Sequence, residues 1–267
     1  MGNTSSNIDH IRIIHDKREA TNLLNVAESK DYYLHHCYKD KANSNARRNS
    51  NYFPNALSQL DINSAMSFIQ KTIPQLPPKL LELKVHIIQL MPTADGGMPH
   101  TRPGNIICYP DFTHLYSVST LIHELWHIHQ REFKPYWIIV FKRLGWTEWN
   151  GKLPDKLEMN RRYNPDTIDS PLWIFQNKWI TVPIFKDITN PSINHVDIWF
   201  YNPNIEYYIK RIPEELSSYF TDLRDVELEH PREITAYMLS EPDRFYSSPA
   251  FKDLLKAVGN NSIHAMP

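Results

Sequence analysis

At 267 residues the chain suits one large domain, or one domain with an appendage, and a composition that is 41% hydrophobic and 12% aromatic excludes wholesale disorder. Lys and Arg number 29 against 30 Asp and Glu, so the basic surplus that phosphate-backbone binding relies on is missing and nucleic acid is not an expected partner. The longest strongly apolar run, residues 136–141, is far short of the ~20 residues needed to cross a bilayer, and nothing near the start resembles a secretion signal, so a cytoplasmic chain without a transmembrane segment is expected.

The first six residues, Met1-Gly2-Asn3-Thr4-Ser5-Ser6, fit the N-myristoylation pattern, which needs Gly2 exposed and a small hydroxyl residue at position six. Because the pattern is short, a polar flexible terminus that happens to begin with Gly is the favoured reading. One acyl chain on Gly2 would give only weak, reversible membrane attachment. Cys37 and Cys108 lie far apart and cannot build a disulfide framework or a Cys-rich zinc site, which agrees with a reducing compartment.

Residues 16–38 read as helix, and the almost wholly polar residues 39–51 read as an exposed linker. Two units follow from this, a polar and helical N-terminal extension over 1–55 and a main domain over 56–267. Asp61 can cap a helix reaching about Ile73, where Pro74, Pro77 and Pro78 stop it. Residues 83–91 and 105–109 read as strands with a turn at 93–97 between them. Residues 113–131 carry helical spacing without Pro or Gly. Strand-like segments at 179–185 and 196–201 then precede helix-like ones near 213–222, 231–240 and 249–257. No internal repeat is present, and the mixture predicts an α+β fold rather than a regular βαβ succession.

The segment with chemical content is His123-Glu124-Leu125-Trp126-His127. On a helix the two histidines project from one face a turn apart, so both imidazoles can meet one ion while Glu124 stands beside a water bound there. Leu121, Leu125 and Ile128 form one apolar stripe and Ile122 and Trp126 another, which leaves the histidine face for a cleft. A shuffled chain of this composition would contain roughly 0.03 such pentapeptides, so a metal site is favoured over accident. Two histidines are insufficient for catalytic zinc, which commonly takes three protein ligands and leaves a place for water. Glu233 is the preferred third ligand, because Pro231 suits the first turn of a helix, His230 can be its N-cap, and Ala236 permits close helix approach. Glu148 is the main competitor. His129 points about 200° away from His127 and reads as structural, and His100 reads as an ordinary loop histidine.

This pentapeptide, together with His230-Pro231-Arg232-Glu233-Ile234-Thr235-Ala236-Tyr237, resembles the zincin superfamily of zinc metallopeptidases. The second segment is similar to the Glu-x-x-Ala pattern by which the gluzincins deliver their third ligand, although Trp126 departs from the small residue often found before the second histidine. The resemblance spans residues 80–241 and leaves the first 55 outside. It implies a zincin-like α+β fold, in which a small mixed sheet packs on the active-site helix, with a substrate-holding edge strand at 105–109 and a further helical subdomain. It also implies a Zn2+ cofactor and a peptide or protein substrate.

In that chemistry zinc activates water and polarises the carbonyl, and Glu124 removes the water proton and passes it to the leaving amine. Tyr237 and His230, each a turn from Glu233, are candidates for stabilising the oxyanion. Most aromatics of residues 173–179 and 199–208 read as core, although they could furnish a specificity wall. Two other functions compete, a non-catalytic zincin-fold binding protein held at a membrane through Gly2, and a zinc hydrolase of a non-peptide amide.

Overall fold

The computed structural model describes residues 10–259, so the acylation pattern at Gly2 lies outside the described residues. Helices and two sheets mix in an α+β arrangement. Among the described residues the first strand is β1 (Ile11–Ile14), followed by α1 (Lys17–Asp31), α2 (Tyr33–Lys39) and α3 (Lys41–Ala46). Asp16 caps α1 by accepting from the Glu19 N–H. Tyr32 ends it in the left-handed conformation at φ 51°, which splits the single helix expected over 16–38 into two.

β1, which the sequence reading lacks, pairs in parallel with β2 (Val85–Gln89). Residues 39–51 depart from the expectation of an exposed linker, since they hold α3 and the buried guanidinium of Arg47. Their polar side chains are used inward: Arg47 bonds Asp95, Tyr33, Asn43 and the Tyr163 carbonyl. The N-terminal residues thus contribute a strand and packed helices to the same sheet as β2.

That sheet runs β1-β2-β4-β3, with β4 (Ile106–Tyr109) parallel to β2 and β3 (His100–Arg102) antiparallel to β4. Because β4 is paired on both sides, the edge-strand expectation for residues 105–109 is corrected: the edge belongs to β3. Strand alternation sends Ile87 and Ile107 to one face, where they join Leu121, Leu125 and Ile128 of α5 (Val118–Glu132). Ile88, Ile106 and Cys108 face the other way, against Ala20, Leu24 and Ala27 of α1. Before α5, α4 (Gln59–Thr72) begins at Ser58 rather than Asp61. Asp61 reaches back to the Ser58 N–H, completing a capping box. A 3-10 turn occupies Phe112–Tyr116, so α5 starts later than residue 113, with Ser117 accepting from the Thr120 N–H.

Beyond α5 lie α6 (Lys134–Arg143), β5 (Trp146–Trp149), α7 (Asp155–Glu158), β6 (Leu172–Phe175), β7 (Trp179–Phe185), β8 (Val196–Asn202) and β9 (Tyr207–Ile209). The five strands form a second, antiparallel sheet in sequential order. The chain closes with α8 (Glu214–Tyr219), α9 (Pro231–Ser240), α10 (Pro242–Phe245) and α11 (Pro249–Val258), the last three opened by Pro in the first turn. One core cluster joins the first sheet, α5, α9 and the second sheet's Phe175 and Phe200. No helix among the described residues is long and apolar enough to cross a membrane. Cys37 and Cys108 are both free and buried.

Candidate metal centre

α5 places His123 and His127 one turn apart, and α9 packs across it with Ala236 fully buried at the contact. Glu233 then arrives in the first turn of α9. The two Nε2 atoms are 2.9 Å apart, and Glu233 Oε2 lies 3.4 Å from that of His123 and 3.5 Å from that of His127. Tetrahedral zinc with bonds of about 2.0–2.1 Å needs donors roughly 3.3 Å apart, so two imidazoles and a carboxylate here fit such an ion in both spacing and chemistry. Among the described residues this is the one group of His, Cys, Asp and Glu able to converge on a metal.

Two neighbours orient the ligands. Gln130 Oε1 accepts from His127 Nδ1 at 2.9 Å, which turns the Nε2 lone pair toward the cluster, and Asn164 Nδ2 donates to Glu233 Oε1 at 2.8 Å. Burial opposes charge on His127, yet the Glu233 carboxylate outweighs it and lifts the imidazole to about 9. Glu233 is likewise buried, and His127 holds it well below the usual carboxylate range. The cluster therefore favours positive charge among its ligands, as a proton or as a cation.

Glu124 is 4% exposed, and its buried Oε2 has no hydrogen-bond partner. Burial, reinforced by Asp166, raises its carboxyl well above the ordinary range. It borders the same cleft of about 420 Å³ as His123, Glu233 and Tyr237. The Tyr237 ring centroid stands 4.4 Å from that of His123. Burial, then Glu233, raises that phenol, so it remains a donor.

The other expectations divide. His230 is corrected as an oxyanion donor: Nδ1 accepts from the Arg232 N–H at 3.1 Å and Nε2 donates to the Pro171 carbonyl at 3.3 Å, and the ring lines a neighbouring cavity instead of the cleft. Glu148 is exposed on β5, paired opposite Trp173, and is outside the cluster. His129 accepts from Trp137 Nε1 at 2.8 Å inside the packing of α5 on α6, which gives it a structural role. Trp126 is buried edge-on to Trp137, with ring centroids 5.8 Å apart. His100 belongs to β3 rather than to a loop, is buried, and lines the cleft through a 2.6 Å bond with the Tyr52 hydroxyl. The aromatics of 173–179 and 199–208 line no part of the cleft, so the specificity-wall expectation is dropped.

Sequence reasoning missed Gln130, Asn164, Asp166 and Arg162. Gln130 had a usable signal, since it lies three residues after His127 on the same helix face. The other three sit between α7 and β6, in a stretch without a motif, and reach the site only through the tertiary fold. Comparison of the chain with protein-family models, curated proteins and solved structures returns no match.

Proposed function

We propose that the chain is a zinc metallopeptidase hydrolysing peptide bonds, zincin-like in fold and gluzincin-like in its ligand set. The observation that carries this is the convergence of His123, His127 and Glu233 at tetrahedral spacing, with Glu124, whose buried Oε2 has no partner, on the same cleft. When bound there, zinc would supply an activated water and a Lewis acid for the scissile carbonyl.

The chain's own residues do the rest. Glu124 takes the proton from the attacking water and returns it to the leaving amine, a task suited to a desolvated carboxylate of raised proton affinity. Tyr237 donates its hydroxyl to the oxyanion. Gln130 and Asn164 keep the ligands in register. Strand pairing with substrate is closed at Thr101 of β3, whose N–H donates to Asp166 Oδ1 at 2.7 Å and whose carbonyl accepts from Arg131 at 3.4 Å. Side chains of the cleft therefore grip the peptide.

A reducing, cytoplasmic setting agrees with two free buried thiols, and acylation of Gly2 would add weak attachment to a membrane surface. The test is metal analysis and a peptide-library digest of the full chain, with and without chelator. Glu124→Gln should keep its zinc and lose about 10²- to 10⁴-fold in cleavage. Unaltered cleavage in that variant, or cleavage indifferent to chelator, defeats the peptidase reading. A zinc-loaded chain that cleaves nothing favours a non-catalytic binding protein.

A further inference from the structure

Two of the most deeply buried guanidinium groups are fully partnered. Arg47 and Arg102, 2% and 0% exposed, each bond through all three of their nitrogens. Arg162 is 8% exposed and makes one hydrogen bond, from Nη2 to Glu229 Oε2. Its Nε has no partner, nor has Glu229 Oε1 beside it. A desolvated guanidinium with a buried N–H left unmade is costly unless something else accepts from it.

The position of Arg162 says what that is. Its side chain lines the metal cleft and also a second cavity of about 460 Å³, and Asn164 and Glu229 belong to both walls as well. Asn164 donates directly to the ligand Glu233, and Arg162 and Glu233 line the same cleft. Around it a dication would balance Glu233 and Glu124, Asp95 is ion-paired with Arg47, and the buried Asp166 carboxylate accepts from the Thr101 N–H and hydroxyl. Hydrogen-bond demand is what remains, and a carboxylate meets a guanidinium with two parallel, charge-assisted bonds.

We propose that Arg162 anchors a carboxylate of the substrate, either the C-terminus of a short peptide or an Asp or Glu side chain close to the scissile bond. Glu229 holds one edge of the guanidinium in place, and the second cavity gives room for the residue that bears the carboxylate. This subsite rests on the peptidase reading and supplies the grip that strand pairing at Thr101 does not.

The test uses the full, zinc-loaded chain carrying Glu124→Gln, with binding read by calorimetry. The probes are N-acetyl-Ala-Ala as the free acid, the same dipeptide as its C-terminal amide, and N-acetyl-Glu-Ala amide. At least one carboxylate probe should bind about tenfold or more tightly than the neutral amide, and whichever does identifies the source. Adding Arg162→Gln should shrink the preference to within about twofold while zinc stays at one per chain. The comparison of acid with amide needs no change at Arg162, so a poorly folding variant does not remove the test. Equal binding of acids and amide, a preference that survives Arg162→Gln, or no binding of any probe overturns the proposal. Because zinc content and Glu124-dependent cleavage are measured separately, a chain that cleaves peptides without preferring carboxylates loses the subsite alone.

Discussion

Gln130→Ala separates a ligand-orienting role from a merely structural one. Gln130 is 1% exposed and makes three hydrogen bonds: Oε1 accepts from His127 Nδ1, and Nε2 donates to the Arg232 carbonyl and to Thr235 Oγ1, each at 3.0 Å. At about 1 kcal/mol net for each bond, truncation should cost the metal-free protein about 3 kcal/mol, read as a lower urea midpoint. Losing the partner that fixes the His127 tautomer should separately weaken zinc about 10- to 100-fold, read by chelator competition well below the melting temperature. Gln130→Glu distinguishes the two effects, because it keeps an acceptor for His127 and loses the donor to Arg232. It should lower stability and leave zinc affinity at or above that of the parent. If Gln130→Ala binds zinc within about twofold of the parent, or if both variants weaken zinc equally, Gln130 does not orient the ligand.

Tyr237→Phe should lower kcat about 10²- to 10³-fold with KM nearly unchanged, and a loss confined to KM would place the hydroxyl in ground-state binding instead. Asp31→Ala strips Arg102 of the carboxylate that receives both its Nε and its Nη2 at 2.8 Å. It should destabilise the chain by about 3–5 kcal/mol in urea, and a loss under about 1 kcal/mol would mean that the N-terminal helices are not tied to β3 through this pair. Burial, helped by Lys79, holds His129 at about 4, and burial, helped by Arg232, holds His230 at about 3, both below the ordinary 6.5. Between those values the unfolded chain binds more protons than the folded one, so stability is full above pH 6.5 and falls as the pH drops toward 4 and then 3. Urea midpoints of the metal-free protein that stay level from pH 7 to about 4 would contradict this.

Local signals in the chain reach as far as local physics does. The helix under His123 and His127, the Pro-opened helix under Glu233 and the strands β7 and β8 are visible because apolar period, caps and Pro each act within a few residues. β1 escapes because Ile11 to Ile14 is too short a run to declare itself without its partner β2. The polarity of residues 39–51 misleads for a related reason. Arg47 and Asn43 look solvent-directed in sequence, but partners at Asp95 and Tyr163 bring them inside. His230 shows the limit at the site itself. One helical turn from Glu233 is a statement about spacing, whereas its direction is decided by the N-cap bond to Arg232 and the carbonyl of Pro171. Arg162, Asn164 and Asp166 precede β6 by several residues, and only the fold brings them to the cleft.

The most direct measurement is zinc per chain in the purified protein beside Glu233→Ala and Glu148→Ala. About one zinc should be present in the parent and in Glu148→Ala, and lost or held far more weakly in Glu233→Ala, since that carboxylate alone meets both imidazoles. Retention of tight zinc by Glu233→Ala, or its loss from Glu148→Ala, would contradict the assignment of the third ligand and the chemistry built on it.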